Sequence, residues 1–243
     1  MNKKVLITGG TCGLGEELAN IYASNGYDVI FTYFKSVDKA FQIKDKISKK
    51  YENVSVEALK LDVREEEHIK TLISGLDRLD VLINNAAINI DRDFFDKTKK
   101  DFEDILCTNL VGPFLLMKYA YPLLKESKGN VLNITSTNGI DTMYIESADY
   151  DASKAGLINL TKNVASFFAP FVRVNAIAPG WINTNSTCDM NPEFKNREVQ
   201  KIAMRRFADV EEIAKVAFFI TSEDASYVNG AIIRVDGGVN YGL

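Results

Sequence analysis

Short apolar runs alternate with longer amphipathic segments along this chain of 243 residues. The apolar runs are rich in β-branched side chains and predict strands at residues 4–8, 28–33, 54–59, 80–84, 130–135, 173–178 and 231–235. Between most of them, apolar positions recur with a period of about 3.6 residues, which predicts helices that include residues 16–25, 39–50, 65–76, 153–168 and 210–221. Several runs are apolar throughout, as expected when helices cover both faces of a parallel sheet. The alternation predicts one doubly wound α/β domain over residues 1–243.

Composition and charge narrow the class of protein. Hydrophobic residues make up 46% of the chain and charged residues 26%, which is typical of a globular protein. The net charge of −4 argues against a nucleic-acid partner, because phosphate backbones are bound by basic surfaces. The chain has no run of about 18 apolar residues and no hydrophobic leader, so we expect no membrane span, no signal peptide and a cytoplasmic location. The three cysteines and His68 form no cluster, so we expect neither a disulfide framework nor a metal site.

A glycine-rich turn, Thr8-Gly9-Gly10-Thr11-Cys12-Gly13-Leu14-Gly15, joins the first predicted strand to the first predicted helix. The pyrophosphate of a dinucleotide approaches the backbone closely at such a turn, and the helix N-terminus offers N–H groups to the phosphates. The spacing Gly-x-x-x-Gly-x-Gly differs from the usual fingerprint, and a tight turn without a ligand is the alternative. We predict a dinucleotide site that includes Gly9, Thr11, Gly13, Leu14 and Gly15.

The end of the second predicted strand bears on which dinucleotide binds. Lys35 and Ser36 stand where NAD-binding folds carry an acidic residue. A lysine and a hydroxyl can hold a 2′-phosphate, whereas a carboxylate would repel it. The alternative is a solvated loop lysine. We predict that Lys35 and Ser36 make NADP(H) preferred over NAD(H).

Polar residues also follow the third and fourth predicted strands. Asp62, next to Val63, can accept a hydrogen bond from an adenine amino group, or it can cap the following helix. Asn84-Asn85-Ala86 can tie neighbouring loops together and present carbonyls to the cofactor, or it can form a plain turn. We predict that Asp62, Val63, Asn85 and Ala86 belong to the cofactor site.

The spacing Tyr150-x-x-x-Lys154 places a phenol and an ammonium on one face of a helix. An unperturbed tyrosine has a pKa of about 10, and a nearby positive charge lowers it. Tyr150 can then donate a proton to a carbonyl oxygen as hydride arrives. A second copy of the spacing, from Tyr121 to Lys125, is interrupted by Pro122 and lacks the small residues that surround the later copy. We therefore predict Tyr150 as the acid/base and Lys154 as the residue that tunes its pKa.

Two further polar residues complete the candidate constellation. Ser136 ends the fifth predicted strand, where ligands bind in open α/β sheets, and its hydroxyl can stabilise negative charge on a substrate oxygen. Asn109, a poor helix former inside a predicted helix that begins near Phe102, can hold a water that links Lys154 to solvent. The alternatives are a solvated strand-end serine and an exposed helical asparagine. We predict Ser136 and Asn109 as catalytic residues.

In their order along the chain, these motifs resemble those of the short-chain dehydrogenase/reductase family. The resemblance rests on the glycine turn, Asn84-Asn85-Ala86, Asn109, Ser136, Tyr150-x-x-x-Lys154 and Pro179-Gly180. It implies a Rossmann fold whose seven-stranded parallel sheet has the order 3-2-1-4-5-6-7. It also implies that Ser136 polarises the carbonyl, that Lys154 holds the nicotinamide ribose in addition to tuning Tyr150, and that Asn109 supports a proton-relay water.

The resemblance further implies cofactor contacts and an assembly. Asp62 would contact adenine, while Ile182 and Thr184, which follow Pro179 and Gly180, would bracket the nicotinamide carboxamide. Enzymes of this family are typically tetramers or dimers, built on the helices that carry the catalytic asparagine and tyrosine. We expect a homotetramer.

Within the family, the C-terminal part of the chain is most like that of 3-oxoacyl-(acyl-carrier-protein) reductases. The similarity lies in Arg205-Arg206-Phe207, in residues 225–230 and in Val235-Asp236-Gly237-Gly238, an ending shared with sugar-alcohol and steroid relatives. Two residues depart from the pattern. Ala87 replaces a glycine, and Cys12 stands where many NADPH-dependent acyl reductases carry an arginine.

We predict an NADPH-dependent carbonyl reductase that transfers hydride to a ketone, on a small molecule or an acyl carrier. A 3-oxoacyl thioester is the first candidate, which would place the enzyme in fatty acid biosynthesis. The alternatives are an NAD-dependent polyol or secondary-alcohol dehydrogenase and a catalytically idle dinucleotide sensor. The segment 183–205 is polar and irregular at first and then helical, which predicts a substrate lid, with a mobile surface loop as the alternative. Met143, Tyr144, Ile145 and Trp181 can form an apolar substrate wall or plain packing.

Overall fold

Parallel strands form the centre of the structure. The computed structural model describes residues 2–11, 13–184, 187 and 189–239. The described strands are β1 (Lys4–Ile7), β2 (Asp28–Tyr33), β3 (Val56–Lys60), β4 (Val81–Asn84), β5 (Asn130–Ile134), β6 (Arg173–Pro179), β7 (Ile182–Asn183), β8 (Ala208–Asp209) and β9 (Ile232–Val235). Within the described ranges, seven of these strands pair in parallel in the order β3-β2-β1-β4-β5-β6-β9. The predicted Rossmann-type fold class is confirmed.

Helices cover both faces of this sheet. They are α1 (Gly13–Ser24), α2 (Val37–Lys50), α3 (Glu66–Ser74), α4 (Lys99–Leu106), α5 (Gly112–Ser127), α6 (Ala148–Phe168), α7 (Pro192–Lys201) and α8 (Val210–Thr221). A π-helical turn, Cys107–Val111, connects α4 to α5. In the part of the chain that the structure describes, no helix is both long and apolar enough to cross a membrane.

Two apolar layers form the core, one on each face of the sheet. In β1, Val5 and Ile7 pack into one layer, with α1 and α8, while Leu6 packs into the other, with α3, α5 and α6. The alternation follows from the period of two in a strand, which sends successive side chains to opposite faces. Each fully buried aliphatic side chain stabilises the fold by about 1.5–3 kcal/mol. This two-sided burial explains why the central runs are apolar throughout.

The element boundaries differ from the predictions mainly at helix starts. The predicted helix at 153–168 begins at Ala148, because Asp149 and Asp151 favour a helix N-terminus without adding to the apolar pattern. Helix α4, whose start was predicted near Phe102, begins at Lys99, after a capping box between Thr98 and Asp101. The two-stranded ribbon of β7 and β8 was not predicted, since each strand has only two residues. With that ribbon set aside, the observed strand order equals the implied order 3-2-1-4-5-6-7.

Candidate active site

The glycine turn lies between β1 and α1, at the carboxyl edge of the sheet. Gly9 and Gly13 have φ angles of +70° and +50°, which favour glycine. A Cβ on Gly15 would lie 2.1 Å from the carbonyl oxygen of Gly9, so this position admits no side chain. The turn thus forms a backbone cradle against the start of a helix, and such a cradle fits a pyrophosphate group.

Hydrogen bonds join this turn to the end of β4. The Asn85 side-chain amide donates to the carbonyl oxygens of Thr8 and Gly9, at 2.9 and 3.0 Å. In return, the Thr8 hydroxyl oxygen accepts from the backbone N–H groups of Asn85 and Ala86, both at 3.0 Å. The asparagine pair therefore ties neighbouring loops together, as predicted, and does not form a plain turn. Its first member, Asn84, is buried and donates to Asn133 at 2.7 Å.

A first cavity of about 640 Å³ runs along this edge. Most of the predicted cofactor residues line it, namely Gly9, Thr11, Gly13, Leu14, Gly15, Lys35, Ser36, Asp62, Val63, Asn85, Ala86 and Thr184. Pro179 and Ile182 line neither this cavity nor its neighbour: Pro179 is buried in β6, and Ile182 packs against the core. The sequence therefore predicted most of the wall of a dinucleotide-sized cleft.

Two cations flank an exposed aromatic ring at the end of β2. The Lys35 ammonium lies 5.6 Å from the centroid of the Phe34 ring, and the Arg64 guanidinium lies 5.4 Å from it. All three residues line the first cavity. Sequence analysis missed Arg64, although a cation two residues beyond a strand-end acid was a signal for it. Lys35 and Arg64 therefore bring two positive charges to this corner, while the carboxylates of Asp62 and Asp104 line the same cavity near Arg64.

Asp62 pairs with Arg64. Arg64 donates to its carboxylate from Nη2 at 2.6 Å and from Nε at 2.9 Å. These hydrogen bonds hold the pKa of Asp62 below its usual value, although burial opposes the shift. The helix-cap alternative for Asp62 is wrong, because the residue before α3 is Glu65. Asp62 lines the cavity, so its predicted contact with adenine stays a prediction.

A second cavity of about 720 Å³ adjoins the first and shares Ala87 and Ile88 with it. Ser136, Tyr150 and Gly180 line this second cavity, as do aromatic side chains described below. Ser136 and Tyr150 thus face a space distinct from, but adjoining, the predicted dinucleotide site, whereas Lys154 and Asn109 line neither cavity.

Tyr150 lies in the first turn of α6, and Lys154 follows one turn later. The Lys154 side chain is only 2% exposed. Its ammonium donates to the Ile134 carbonyl at 2.9 Å and lies 5.4 Å from the centroid of the Tyr150 ring. The competing copy lies elsewhere: Tyr121 packs against Phe168 and lines neither cavity.

Burial dominates the ionisation of both groups. It raises the pKa of Tyr150 to about 12, and a hydrogen bond with Ser136 only partly opposes this shift. Burial lowers the pKa of Lys154 to about 8. Both shifts favour neutral forms, because a low-dielectric surrounding disfavours charge. The expectation that Lys154 lowers the pKa of Tyr150 is therefore not met in this structure.

Ser136 belongs to a short hydrogen-bond chain. Its hydroxyl contacts Asn138 Oδ1 at 3.2 Å and accepts from the Asn138 backbone N–H at 3.2 Å. Asn138 Nδ2 donates in turn to the Asp151 carboxylate at 2.7 Å. Since a carboxylate only accepts, Asp151 turns the oxygen of the Asn138 amide toward Ser136. Sequence analysis did not single out this Asp151 contact.

Asn109 lies in the π-helical turn and is fully buried. Its Oδ1 accepts from the Ile88 N–H at 2.9 Å, and its Nδ2 donates to the Ile88 carbonyl at 2.9 Å and to Ser153 Oγ at 3.1 Å. The alternative of an exposed helical asparagine is wrong. Both amide hydrogens are donated to protein acceptors, so the side chain connects the loop after β4 to α6. That Asn109 also supports a proton-relay water stays a prediction.

Aromatic side chains form one wall of the second cavity. Trp181 stacks on Phe207 and meets Phe194 edge to face, with ring centroids 5.5 and 5.8 Å apart. The Tyr144 hydroxyl donates to the buried Glu198 of α7 at 2.6 Å. Tyr144 and Trp181 therefore belong to the predicted wall. Met143 and Ile145 are exposed and line neither cavity, so their assignment to the wall was wrong, because the loop turns their side chains outward.

The predicted lid segment contains β7 and α7, and Met190, Phe194, Arg197, Glu198, Lys201 and Ile202 from it line the second cavity. Thr184 contacts the glycine turn, since its Cγ2 lies 3.1 Å from where a Gly13 Cβ would stand. Positions 185, 186 and 188 of the segment lie outside the described residues, as does Cys12. The described part of the segment thus lines the second cavity mainly from α7 and the first cavity through Thr184 alone.

Comparison with known proteins agrees with this architecture. A family model described as "Enoyl-(Acyl carrier protein) reductase" matches residues 9–240. A 3-oxoacyl-(acyl-carrier-protein) reductase of Aquifex aeolicus is 36% identical over 98% of this chain and 97% of its own length. A meso-2,3-butanediol dehydrogenase of Serratia marcescens is 32% identical over 98% of this chain and 94% of its own. A solved structure of a Serratia marcescens short-chain dehydrogenase/reductase variant superposes with a TM-score of 0.91 at 28% identity, covering 97% of both chains.

The chain belongs to the short-chain dehydrogenase/reductase family, as the motifs predicted. It is an oxidoreductase, and membership implies a nicotinamide dinucleotide as cofactor. Within the family, it is similar over nearly its full length to 3-oxoacyl-(acyl-carrier-protein) reductases, which share 34–36% of its residues.

The contact at Gly15 gives a stability prediction. We expect Gly15→Ala to lower the free energy of unfolding by about 1–3 kcal/mol, because the methyl group overlaps the Gly9 carbonyl. Urea denaturation measures this change. Gly75→Ala is the matched control, since a Cβ there meets its nearest atom at 3.5 Å. Equal stability of the two variants would show that the turn relaxes without strain.

Proposed function

We propose that this protein is an NADPH-dependent carbonyl reductase that transfers hydride to a ketone, with a 3-oxoacyl thioester as the first candidate substrate. The observation that carries the proposal is the position of Tyr150 and Ser136. Both line the second cavity, and this cavity adjoins the cleft that has the backbone cradle. A substrate carbonyl in the second cavity can therefore meet two hydroxyl groups next to the bound dinucleotide.

The bound dinucleotide supplies the hydride. Tyr150 then gives its phenolic proton to the carbonyl oxygen, and Ser136 donates a hydrogen bond that stabilises the negative charge on that oxygen. A phenol with a pKa of about 12 is fully protonated at neutral pH, so it is ready to donate. Lys154, whose pKa burial lowers to about 8, lies close enough to the ring to stabilise the phenolate that remains. The roles of Tyr150 and Ser136 are those that the family resemblance implies, whereas Lys154 is assigned stabilisation of the phenolate in place of a lowered Tyr150 pKa.

The charges at the end of β2 support NADP(H) over NAD(H). Lys35 and Arg64 flank Phe34, and both line the cleft. Ser36 precedes α2, and its side chain makes no capping hydrogen bond there, so its hydroxyl and the helix N-terminus can serve a phosphate. The Asp62 carboxylate pairs with Arg64 and offsets its positive charge toward a ligand, and Lys35 therefore carries the larger share of the preference.

The relatives support a ketone substrate but name more than one class. The 3-oxoacyl reductases favour an acyl thioester and a place in fatty acid biosynthesis, and the butanediol dehydrogenase favours a secondary alcohol or polyol with NAD as second candidate. The polar groups that face the second cavity, such as Asn89, Asn138 and Glu146, give this second candidate its support. The predicted catalytic set as a whole speaks against an idle sensor.

The remaining expectations belong to the same proposal. The segment 183–205 serves as a lid over both cavities, and the enzyme works as a cytoplasmic homotetramer. Exposed apolar side chains on α4, the π turn and α5 support an assembly, among them Phe102, Val111 and Phe114. Buried against a second copy, they would leave water, which favours association. Light scattering on the purified protein measures the mass against 27.1 kDa for one chain.

We expect purified protein to oxidise NADPH with acetoacetyl-CoA and to leave NADH nearly unused. Absorbance of the reduced cofactor measures both rates. Crotonyl-CoA is the matched control, because it presents a carbon–carbon double bond on the same carrier. Turnover of acetoin with NADH alone would instead support the polyol dehydrogenase. Cofactor binding without turnover of any ketone would support the sensor.

We expect Tyr150→Phe to lower kcat by about 10²–10⁴, since the variant has no proton to give. The Kd for NADPH, measured by fluorescence titration, stays near that of the parent because the ring remains. Tyr121→Phe, in the other copy of the spacing, is the control and should keep full activity. Unchanged kcat in Tyr150→Phe would remove this residue from the mechanism.

We expect Lys35→Ala to weaken NADPH binding about tenfold or more while NADH binding changes little. The lost hydrogen bond to a charged phosphate contributes about 1.5–3 kcal/mol, and each 1.4 kcal/mol changes Kd about tenfold. Lys49→Ala, at the far end of α2, is the matched control. Equal losses for the two dinucleotides would contradict the 2′-phosphate assignment.

A further inference from the structure

A buried ion pair lies next to Tyr150 and has no part in the chemistry above. Lys97 Nζ lies 2.5 Å from Asp149 Oδ1, and the two side chains are 7% and 0% exposed. Asp149 immediately precedes Tyr150, and its Oδ1 also accepts the Tyr150 backbone N–H at 2.9 Å. This N–H belongs to the first turn of α6, where amides lack partners within the helix. The pair therefore acts on the backbone that carries the predicted acid/base.

The same ammonium also holds the loop that follows β4. Lys97 Nζ donates to the Ile90 carbonyl at 2.7 Å. Neighbours of Ile90 form the boundary between the two cavities: Ile88 lines both, and Asn89 and Asp91 line the second. One lysine thus connects the boundary loop to the helix that carries Tyr150.

Asn109 connects the same loop to the same helix at a second point. It binds both backbone polar groups of Ile88 and the hydroxyl of Ser153. Lys97 and Asn109 contact α6 at Asp149 and at Ser153, which lie on either side of Tyr150 in the sequence. Together they hold one turn of the helix against residues 88–90. Sequence analysis did not identify Lys97 as a residue that connects this loop to α6.

Stability alone does not account for this pair. Removing two charges from water carries a large desolvation penalty, and a buried pair is often no more stabilising than apolar side chains of the same volume. The penalty here is not fully offset, because Asp149 Oδ2 has no hydrogen-bond partner among the described residues. A pair that stabilises little but binds two backbone segments, at Ile90 and at Tyr150, is suited to positioning.

We propose that Lys97 and Asp149 form a positioning pair, which holds the Tyr150 turn of α6 against the loop at residues 88–90 so that the phenol meets the substrate carbonyl in line. Neither residue of the pair lines either cavity, and the pair acts through the backbone of Tyr150 and of Ile90. The expected change in kcat rests on the proposed reductase function. The expected change in the packing of the loop against α6 rests on the geometry alone.

The test uses a variant without either charge, Lys97→Met/Asp149→Asn, because a single substitution would leave one buried charge unpaired. The asparagine keeps an acceptor for the Tyr150 N–H, and methionine matches the lysine stem in length. We expect kcat for acetoacetyl-CoA reduction to fall about 10- to 100-fold, since small misplacements of a reacting group have effects of this size. KM and the Kd for NADPH stay within about threefold. The exposed pair on α4, in Lys99→Met/Glu103→Gln, is the matched control and keeps the parent kcat.

A structural role without positioning gives a different result. In that case the double variant would keep the parent kcat, whatever its melting temperature, and the proposal would be overturned. If the double variant does not fold, Asp149→Asn alone takes its place, because it is isosteric and keeps Lys97 bound to an oxygen. A kcat for this variant equal to that of the parent would overturn the proposal in the same way.

Hydrogen exchange separates this inference from the proposed function. We expect amides of residues 86–91 and 148–151 to exchange faster in the double variant than in the parent, and those of α8 to exchange at the parent rate. This readout needs no substrate. A parent without turnover of any ketone would contradict the reductase proposal, whereas unchanged exchange in both segments would contradict the positioning pair.

Discussion

The hydrogen bonds between Thr8 and Asn85 connect the two loops on which the cofactor cleft depends. They join the turn after β1 to the end of β4, so the point where the strand order reverses is held by side-chain and backbone groups together. In open α/β sheets ligands bind at this reversal, because the loops of adjacent strands diverge there and leave a crevice. With the crevice fixed, the loops after β2 and β3 supply Lys35 and Arg64 on one side. The end of β5 and the start of α6 supply hydroxyl groups on the other.

Burial shapes the chemistry of this edge as much as any individual contact. Tyr150 and Lys154 have pKa values shifted in opposite directions, yet the cause is the same, because each shift favours the neutral form. A tyrosine kept protonated is suited to giving a proton to a developing alkoxide. A lysine with a pKa of about 8 is still mostly protonated at neutral pH, so its positive charge can stabilise negative charge that forms beside it. The hydroxyl of Ser136 contacts Asn138 Oδ1, and its interaction with Tyr150 opposes part of the rise in the Tyr150 pKa.

Much of the architecture could be predicted before the structure was known. Strand positions and the doubly wound α/β class follow from apolar runs and from turn chemistry, which depend on neighbouring residues only. The strand order was implied by the family resemblance and agrees with the observed sheet. Most errors fell where another physical effect replaced apolar periodicity. The start of α6 depends on acidic residues in its first turn, and the ribbon of β7 and β8 depends on pairing between segments far apart in the chain. Met143 and Ile145 were misplaced because apolar character does not tell which way a loop turns.

The sequence by itself determined the fold class, the glycine cradle and the residues that could do the chemistry, because each has a local signature of spacing or composition. Only the tertiary structure decided that Tyr150 faces a cavity, that Arg64 joins Lys35 beside Phe34, and that Asn109 and Lys97 connect one loop to one helix. These contacts join side chains that are tens of residues apart or that meet across separate elements. Their geometry arises only when the sheet and its covering helices pack together, so local sequence patterns do not predict it.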